Sequence, residues 1–430
     1  MEKLLLGCIG DDFSGSSDAA SFISAGGLNT ILVDGVPDEG FIIPDGCEAI
    51  VIALKTRSCA AEHAVEESKR AARWLEAQGV EHFYFKYCST FDSTPAGNIG
   101  PVTDALMELL GSKATILCPA LPANERIVQE GILYVKGLPL DESPMKDHPL
   151  NPMWDSRIKN LIEAQGAYQG IEVHKSQIKE CQDVVNAYVK QEAGDAEHWY
   201  IIPDYVDEND AEDIVRLFGD LRLLTGGSGV LRALARYLKS KNTVEVTGNN
   251  SSFGQRKFEK VNSCGIIIAG SCSVATRGQE IYYMRKGCSS YQLDDHRVSS
   301  GDDSPGKIWR LIEPDCTKDN APLVYSYATP QELKQKRNEE GMKLARSIEK
   351  TLAGVAKYAV ESGVERIVVA GGETSGAVTQ ILGFKAFYIG ESIAPGVPIL
   401  IPVNNKNIRL VLKSGNFGRP DFFEKALQMT

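Results

Sequence analysis

RIVVAGGETSGAVTQILG, from Arg366 to Gly383, carries the chain from a strand through a glycine pair into a helix. After Arg366, Ile367–Ala370 is apolar and mostly β-branched, as a strand covered on both faces must be. Gly371 and Gly372 permit a tight turn and close backbone approach. Glu373, Thr374, Ser375 and Gly376 then lead into the helix. The start of such a helix aims free N–H groups and a partial positive charge outward, which makes it an anion cradle. No GK[ST] follows, so it is not a P-loop, and the GxGxxG spacing of a dinucleotide turn is absent. A tight βα turn without a ligand is the plain alternative.

The same strand–turn–helix alternation recurs on either side. Strands are predicted at Leu4–Gly10, Thr30–Asp34, Ala49–Leu54, His82–Lys86, Thr115–Cys118 and Trp199–Pro203. In the second half they are predicted at Gly265–Ala269, Leu323–Tyr327, Arg366–Ala370, Ala386–Ile389, Pro398–Ile401 and Arg409–Lys413. Helices are predicted at Ser17–Ala25, Ala60–Ala77, Pro101–Leu110 and Val230–Leu238, with a long helix or two in series over Gln331–Val360. Pro101 fits a first turn and Gly111 a stop. The fold class is α/β, with two domains, each a mainly parallel β-sheet flanked by helices. The polar, glycine- and asparagine-bearing stretch 239–263 reads as the connection, leaving domains at 1–238 and 264–430.

A chain of 430 residues suits two such domains. Its net charge of -11 argues against a general nucleic-acid binder, which needs a basic stripe. No run reaches the length of a membrane span, and the N-terminal MEKLLLGCIGDD lacks a signal peptide's long apolar core. The ten cysteines form no CxxC pair, so structural zinc is not expected. Free thiols fit a reducing cytoplasm.

Open α/β sheets bind ligands beyond the carboxyl ends of their strands. After the first strand stand Asp11 and Asp12, in GDDFSGSSDAA. One carboxylate could accept a hydroxyl proton and the other orient a polyol. Helix capping is the plain alternative. After the third strand, Lys55, Arg57 and Ser58 offer a cation for a substrate carboxylate or a solvated charge. After the fourth comes KYCSTFDSTPAGNIGP, with Lys86, Ser89, Thr90, Asp92, Ser93, Thr94 and Asn98. One cation, one carboxylate and several hydroxyls suit a small polyhydroxy acid, and the run leads into a helix start. In the second half, Ser271 and Ser273 follow a strand in AGSCSVATRGQ, where small residues let backbone N–H groups approach a phosphate or merely cap a helix. GESIAPGVPIL and LKSGNFGRPDFF place further glycines at strand ends that could wall a nucleotide pocket.

These residues resemble the four-carbon acid sugar kinase family over nearly the whole chain. The resemblance rests on GDDFSG at Gly10, KYCSTFDSTPAGNIGPV at Lys86 and PMKDHPLNPM at Pro144. In the second half it rests on AGSCSVATRGQ, VVAGGETSGAV, APGVP and LKSGNFG. It implies a sugar-acid-binding N-terminal domain, a nucleotide-binding C-terminal domain and a reaction in the cleft between them. It implies ATP-dependent phosphorylation of the 4-hydroxyl of a 3-oxo-tetronate. Nucleotide contacts are then expected at Ser271, Gly371, Gly372, Glu373, Thr374 and Gly415. Substrate contacts are expected at Asp11, Asp12, Arg57, Lys86, Ser89, Thr90 and Asp92. Asp12 is the expected base and Asp11 its substitute. N–H groups over Gly372–Ser375 would stabilise the transferring charge, and Mg²⁺, with ligands undetermined, would bridge phosphate oxygens.

Two positions depart from the family pattern. Phe13-Ser14-Gly15-Ser16 stands where Leu or Phe, then Thr and Gly-Ala are usual, and Ser keeps the hydroxyl. In PALPANERIV, Glu125 stands where glycine is common, with Asn124 and Arg126 retained. Threonate or erythronate as substrate, a non-catalytic sugar-acid-binding protein, and an oxidoreductase are the competing readings; the missing GxGxxG opposes the last. The stereochemistry accepted and the oligomeric state, a homo-oligomer included, stay open at this level.

Overall fold

A computed structural model describes residues 3–147, 151–242, 258–318, 320–326 and 339–430. The chain forms two α/β units, Met1–Gln255 and Arg256–Thr430.

The first unit is built on strands β1 (Leu6–Gly10), β2 (Thr30–Asp34), β3 (Ala49–Ala53), β4 (Phe83–Lys86) and β5 (Ala114–Cys118). Three short strands follow, β6 (Arg126–Gln129), β7 (Ile132–Val135) and β8 (Leu138–Pro139), then β9 (Gln169–Val173), β10 (Trp199–Pro203) and β11 (Leu223–Gly226). Eight of these form a wholly parallel sheet in the order β2-β3-β1-β4-β11-β5-β10-β9. β6, β7 and β8 form a separate antiparallel sheet. The central strands read as unbroken apolar runs because helices cover both faces, and LGCIG, AIVIA and ATILC are buried throughout. The crossover from β3 to β4 passes β1, so the chain switches side there. Register levels the strand ends: Gly10 pairs with Ala53 on one side and Lys86 on the other, and Gly226 pairs with Lys86 and Cys118. The residues that leave β1, β3, β4, β11 and β5 therefore emerge side by side.

The second unit has β12 (Gly265–Ala269), β13 (Ser290–Gln292), β14 (Leu323–Tyr325), β15 (Arg366–Ala370), β16 (Ala386–Ala394), β17 (Val397–Pro402) and β18 (Arg409–Lys413). Their order is β13-β14-β12-β15-β18-β17-β16, parallel as far as β18, with β17 and β16 antiparallel. Ala269, Ala370 and Lys413 stand level, which brings three strand ends together. The helix Glu339–Glu361 buries Leu352, Val355, Ala356 and Ala359. Among the described residues no helix is long and apolar enough to cross a membrane.

The predicted strands recur within a residue or two, except that β16 runs five residues past the predicted end at Ile389. Tyr327 and the start of the predicted helix, residues 331–338, lie outside the described residues. So do residues 243–257 of the expected connection and 148–150 of the HPLNPM run. Residues 239–242 are not linker: the helix continues to Asn242, with Lys239 and Lys241 in a last turn that favours cations. The first helix starts at Phe13 rather than Ser17 because Asp12 caps it. β6 and β7 escape a sequence reading because their turn is Glu130-Gly131, both with positive φ, and lacks the usual Asn-Gly or Asp-Gly signature. β9 and β13 escape it as part-exposed, polar edge strands.

Candidate active site

In the first unit Asp11 follows β1 and is buried, and Arg57, which follows β3, grips it with both arms. Arg57 Nε donates to Asp11 Oδ2 at 2.9 Å and Nη2 to Oδ1 at 2.8 Å. Arg57 Nη1 also pairs with Asp12 Oδ2. Asp12 Oδ1 accepts the Gly15 N–H at 2.5 Å and so caps the helix Phe13–Ala25. Gly15 sits in the angle between these groups: a β-carbon there would lie 2.7 Å from Asp12 Oδ1, 3.2 Å from Lys86 Nζ and 3.3 Å from Arg57 Nη2. Lys86 is buried and donates to the Tyr87 carbonyl at 2.6 Å. Asn98 fixes the Arg57 loop by donating to the Thr56 carbonyl at 2.6 Å.

Burial, with Asp11 alongside, raises the Asp12 carboxyl above the ordinary carboxylate range, although Arg57, Lys86 and the Gly15 N–H oppose the shift. About 30% of the Asp12 side chain nevertheless meets solvent, against 5% for Asp11. Burial works against charge on Arg57, but Asp11 and Asp12 more than offset it and hold the guanidinium protonated. Asp12, though also paired with Arg57, is thus the carboxylate that is both reachable and easily protonated, whereas Asp11 takes two Arg57 bonds and is nearly closed to solvent.

The loop after β4 turns sharply at Phe91, a buried residue with φ of 46°. Thr90 is buried with its hydroxyl 3.0 Å from Cys88 Sγ. Ser89 faces Gly227 beyond β11. Asp92 accepts from Asn151 through its backbone carbonyl at 3.1 Å, which ties this loop to the PMKDHPLNPM run. Ser93 is structural, donating to Gln165 Oε1 at 3.1 Å.

Asp18 was missed by the sequence reading. It is buried on the first helix, accepts the Ser228 hydroxyl at 2.5 Å, and has its carboxyl raised by burial against the opposing charges of Lys86 and Arg126. Its signal, a lone acid on an otherwise small and apolar helical face, was visible at Ser17-Asp18-Ala19-Ala20. Glu125 adopts φ of 58°, ψ of 38°, a left-handed conformation that costs most residues on the order of 1 kcal/mol. That is the physical reason a glycine suits this position.

In the second unit Ser271, Gly371, Thr374 and Gly415 meet at the level ends of β12, β15 and β18. A β-carbon on Gly415 would run into Ser271 Oγ, and one on Gly270 into Thr374 Oγ1. Gly371 has φ of 128°, which only glycine adopts without strain. The helix begins at Gly372, sooner than expected, with no side-chain cap. Gly372, Glu373 and Thr374 are therefore its first three residues, whose N–H groups have no partner inside the helix. The expectation for Ser375 is corrected: its N–H donates to the Gly371 carbonyl at 2.9 Å and is spent. Glu373 is exposed in the first turn and close enough to Glu349 to raise that carboxyl, after burial.

Beneath this cradle lie Lys413 and Glu280, each about 1% exposed. Burial lowers the Lys413 ammonium to about 7, with Glu280 opposing. Burial raises the Glu280 carboxyl to about 7, with Arg277, at 3.0 Å, and Lys413 opposing. A raised carboxyl contributes stability that is present below its unfolded value of 4.5 and is lost as pH rises through about 7. Glu280→Gln should therefore remove a loss on the order of 3 kcal/mol between those limits. Denaturant unfolding followed against pH checks this; parallel curves for variant and parent would refute it.

A domain model described as "Sugar-binding N-terminal domain" matches residues 6–234, and one described as "Nucleotide-binding C-terminal domain" matches residues 266–423. The chain is 40% identical over 427 residues to the 3-oxo-tetronate kinase of Pectobacterium atrosepticum, covering 98% of each chain. It is 39% identical to that of Haemophilus influenzae, covering 99% of this chain and 100% of the other. A solved protein of Salmonella typhimurium LT2 superposes with a TM-score of 0.87 at 36% identity, over 98% of both chains. One from Haemophilus influenzae superposes at 0.80 with 38% identity, over 98% of this chain and 99% of the other. Two domain matches that together take in most of the chain, and relatives similar from end to end, place this protein in the four-carbon acid sugar kinase family.

Proposed function

We propose that the protein is an ATP-dependent kinase that phosphorylates the 4-hydroxyl of a 3-oxo-tetronate, in the cytoplasm. End-to-end similarity to 3-oxo-tetronate kinases carries the reading, and the geometry supports the following roles. Asp12, reachable and with a raised carboxyl, takes the proton of the 4-hydroxyl as its oxygen attacks the γ-phosphorus in line. The new O4–P bond forms as the bond to the β-phosphate oxygen breaks. Asp11 aligns Arg57, and Arg57 with Lys86 supplies positive charge for the substrate carboxylate. Ser89, Thr90 and Asp92 contact the remaining oxygens.

In the second unit, the N–H groups of Gly372, Glu373 and Thr374 cradle the phosphates, with Ser271 and Gly415 forming the facing wall. The uncapped helix start beside Gly371 fits an anion. Glu373, with Glu349 near it, offers the oxygen ligands a hard cation prefers. Bound there, Mg²⁺ would neutralise phosphate charge.

Release of ADP with a panel of four-carbon acids tests the proposal. A 3-oxo-tetronate should give the highest kcat/KM, with product phosphate on O4 by ³¹P NMR. Faster turnover of threonate or erythronate would reassign the substrate. Tight acid binding with no ADP from any acid would replace the kinase by a binding protein.

A further inference from the structure

The 414–418 loop is held from below by a buried polar chain. Lys413 Nζ donates to Thr276 Oγ1 at 2.8 Å and to the carbonyls of Gly415 at 3.0 Å and Ser414 at 3.2 Å. Thr276 Oγ1 donates in turn to the Gly415 carbonyl at 2.9 Å, and Ser273 Oγ donates to the same oxygen at 2.6 Å. Gln279 Nε2 holds the carbonyls of Phe417 at 2.9 Å and Gly418 at 3.1 Å. Thr276, Gln279 and Glu280 share one helix, Val274–Arg285, and all three are buried. Three donors on one carbonyl are more than a loop needs to stay folded. One of them is a buried lysine, which is costly to keep in an apolar interior.

The orientation that results has a direct consequence. A trans peptide points its N–H opposite to its C=O. With the Gly415 carbonyl drawn inward, the Asn416 N–H is turned outward. Asn416 is exposed, and Gly415 borders Ser271. The arrangement makes the peptide after Gly415 a further oriented dipole on the wall of the cradle.

We propose that Lys413 is a positioning residue for the nucleotide: acting through Thr276 and the Gly415 carbonyl, it sets the Gly415–Asn416 peptide so that its N–H faces a phosphate of ATP. The proposal rests on the nucleotide site assigned above. Lys413 does not itself touch the nucleotide. The shifts of Lys413 and Glu280 toward neutrality agree with a pair kept for function rather than stability.

The full chain carries the test in three variants: Lys413→Met, Thr276→Val and Gly415→Ala. Calorimetric titration with ADP, thermal unfolding, and KM for each substrate are compared with the parent. Lys413→Met should weaken ADP and raise the KM for ATP by about 10- to 100-fold. It should leave the KM for the sugar acid within about twofold, while Tm falls because the buried Glu280 loses an opposing charge and the Ser414 and Gly415 carbonyls lose a donor. A purely structural lysine would lower Tm yet leave ADP affinity in the folded variant unchanged or move both KM values together, and either result would overturn the proposal. Unchanged ADP affinity in Lys413→Met while Gly415→Ala weakens ADP would overturn it too, yet leave the nucleotide site standing. Unchanged affinity in Gly415→Ala would remove the site reading and the proposal with it. If Lys413→Met fails to fold, Thr276→Val decides: it keeps the shape, loses the relay hydroxyl, and must weaken ADP.

Discussion

Asp12→Asn should lower kcat by about 10²- to 10⁴-fold, the range a positioned general base supplies, while ADP binding stays within about twofold. The amide cannot take the proton of the attacking hydroxyl. It can still cap the helix Phe13–Ala25, because Asn and Asp cap equally well, so the Gly15 N–H keeps its acceptor. Loss of folding is therefore not the expected cause of any loss of rate. Asp11→Asn should behave differently. Asp11 holds two bonds from Arg57 and is nearly closed to solvent. Its replacement should cost about 1–3 kcal/mol of stability and raise the KM of the sugar acid. The pH profile gives a second reading. The base works ionised, so turnover must fall as pH drops through the Asp12 pKa. Burial raises that pKa, so the fall should begin at a higher pH than for a carboxylate in water. Near-normal turnover in Asp12→Asn, with collapse in Asp11→Asn at intact stability, would exchange the two roles.

Much of this was legible in the chain because strand ends carry the chemistry and strands announce themselves. IIIA, RIVVA and RLVLK have apolar centres and are followed by glycine or serine, and in the structure Gly270, Gly371 and Ser414 emerge level. The same logic found Asp11, Arg57 and Lys86, which the register of Gly10 with Ala53 and Lys86 brings around Gly15. What stayed hidden depends on partners distant in sequence. Asp18 matters through Ser228 and Arg126, and Lys413 through Thr276 and Glu280. Lys413 shows no local pattern, and the lone acid at Asp18 is a weak one, since a single polar residue beside apolar neighbours also suits a solvated surface. The start of the helix at Gly372 was hidden for another reason. Two glycines read as a turn, and only the fold shows that Gly371 alone takes the strained angle, leaving Gly372 as the first helical residue.

Those two glycines make the sharpest test of the nucleotide cradle, because they should respond to the same substitution in different ways. Gly371→Ala asks an alanine to hold φ of 128° and ψ of 133°, with its β-carbon 3.1 Å from Thr374 Oγ1 and 3.2 Å from the Ser271 nitrogen. That conformation costs about 1–3 kcal/mol. The chain must either keep the strain and lose stability or rotate the peptide and swing the helix start off its aim. Both Tm and ADP affinity should fall, the latter by at least about tenfold, which corresponds to 1.4 kcal/mol. Gly372→Ala meets no atom within 4 Å and sits in ordinary helix, where alanine is favoured by about 0.5–1 kcal/mol. Its Tm should hold or rise. Its ADP affinity should still fall, because a methyl group would stand where the phosphate approaches the bare backbone. Stability and affinity moving in opposite directions in Gly372→Ala is a result that packing alone cannot produce. If ADP binds Gly372→Ala as tightly as the parent, no phosphate rests against this helix start, and the nucleotide must be sought elsewhere in the second unit.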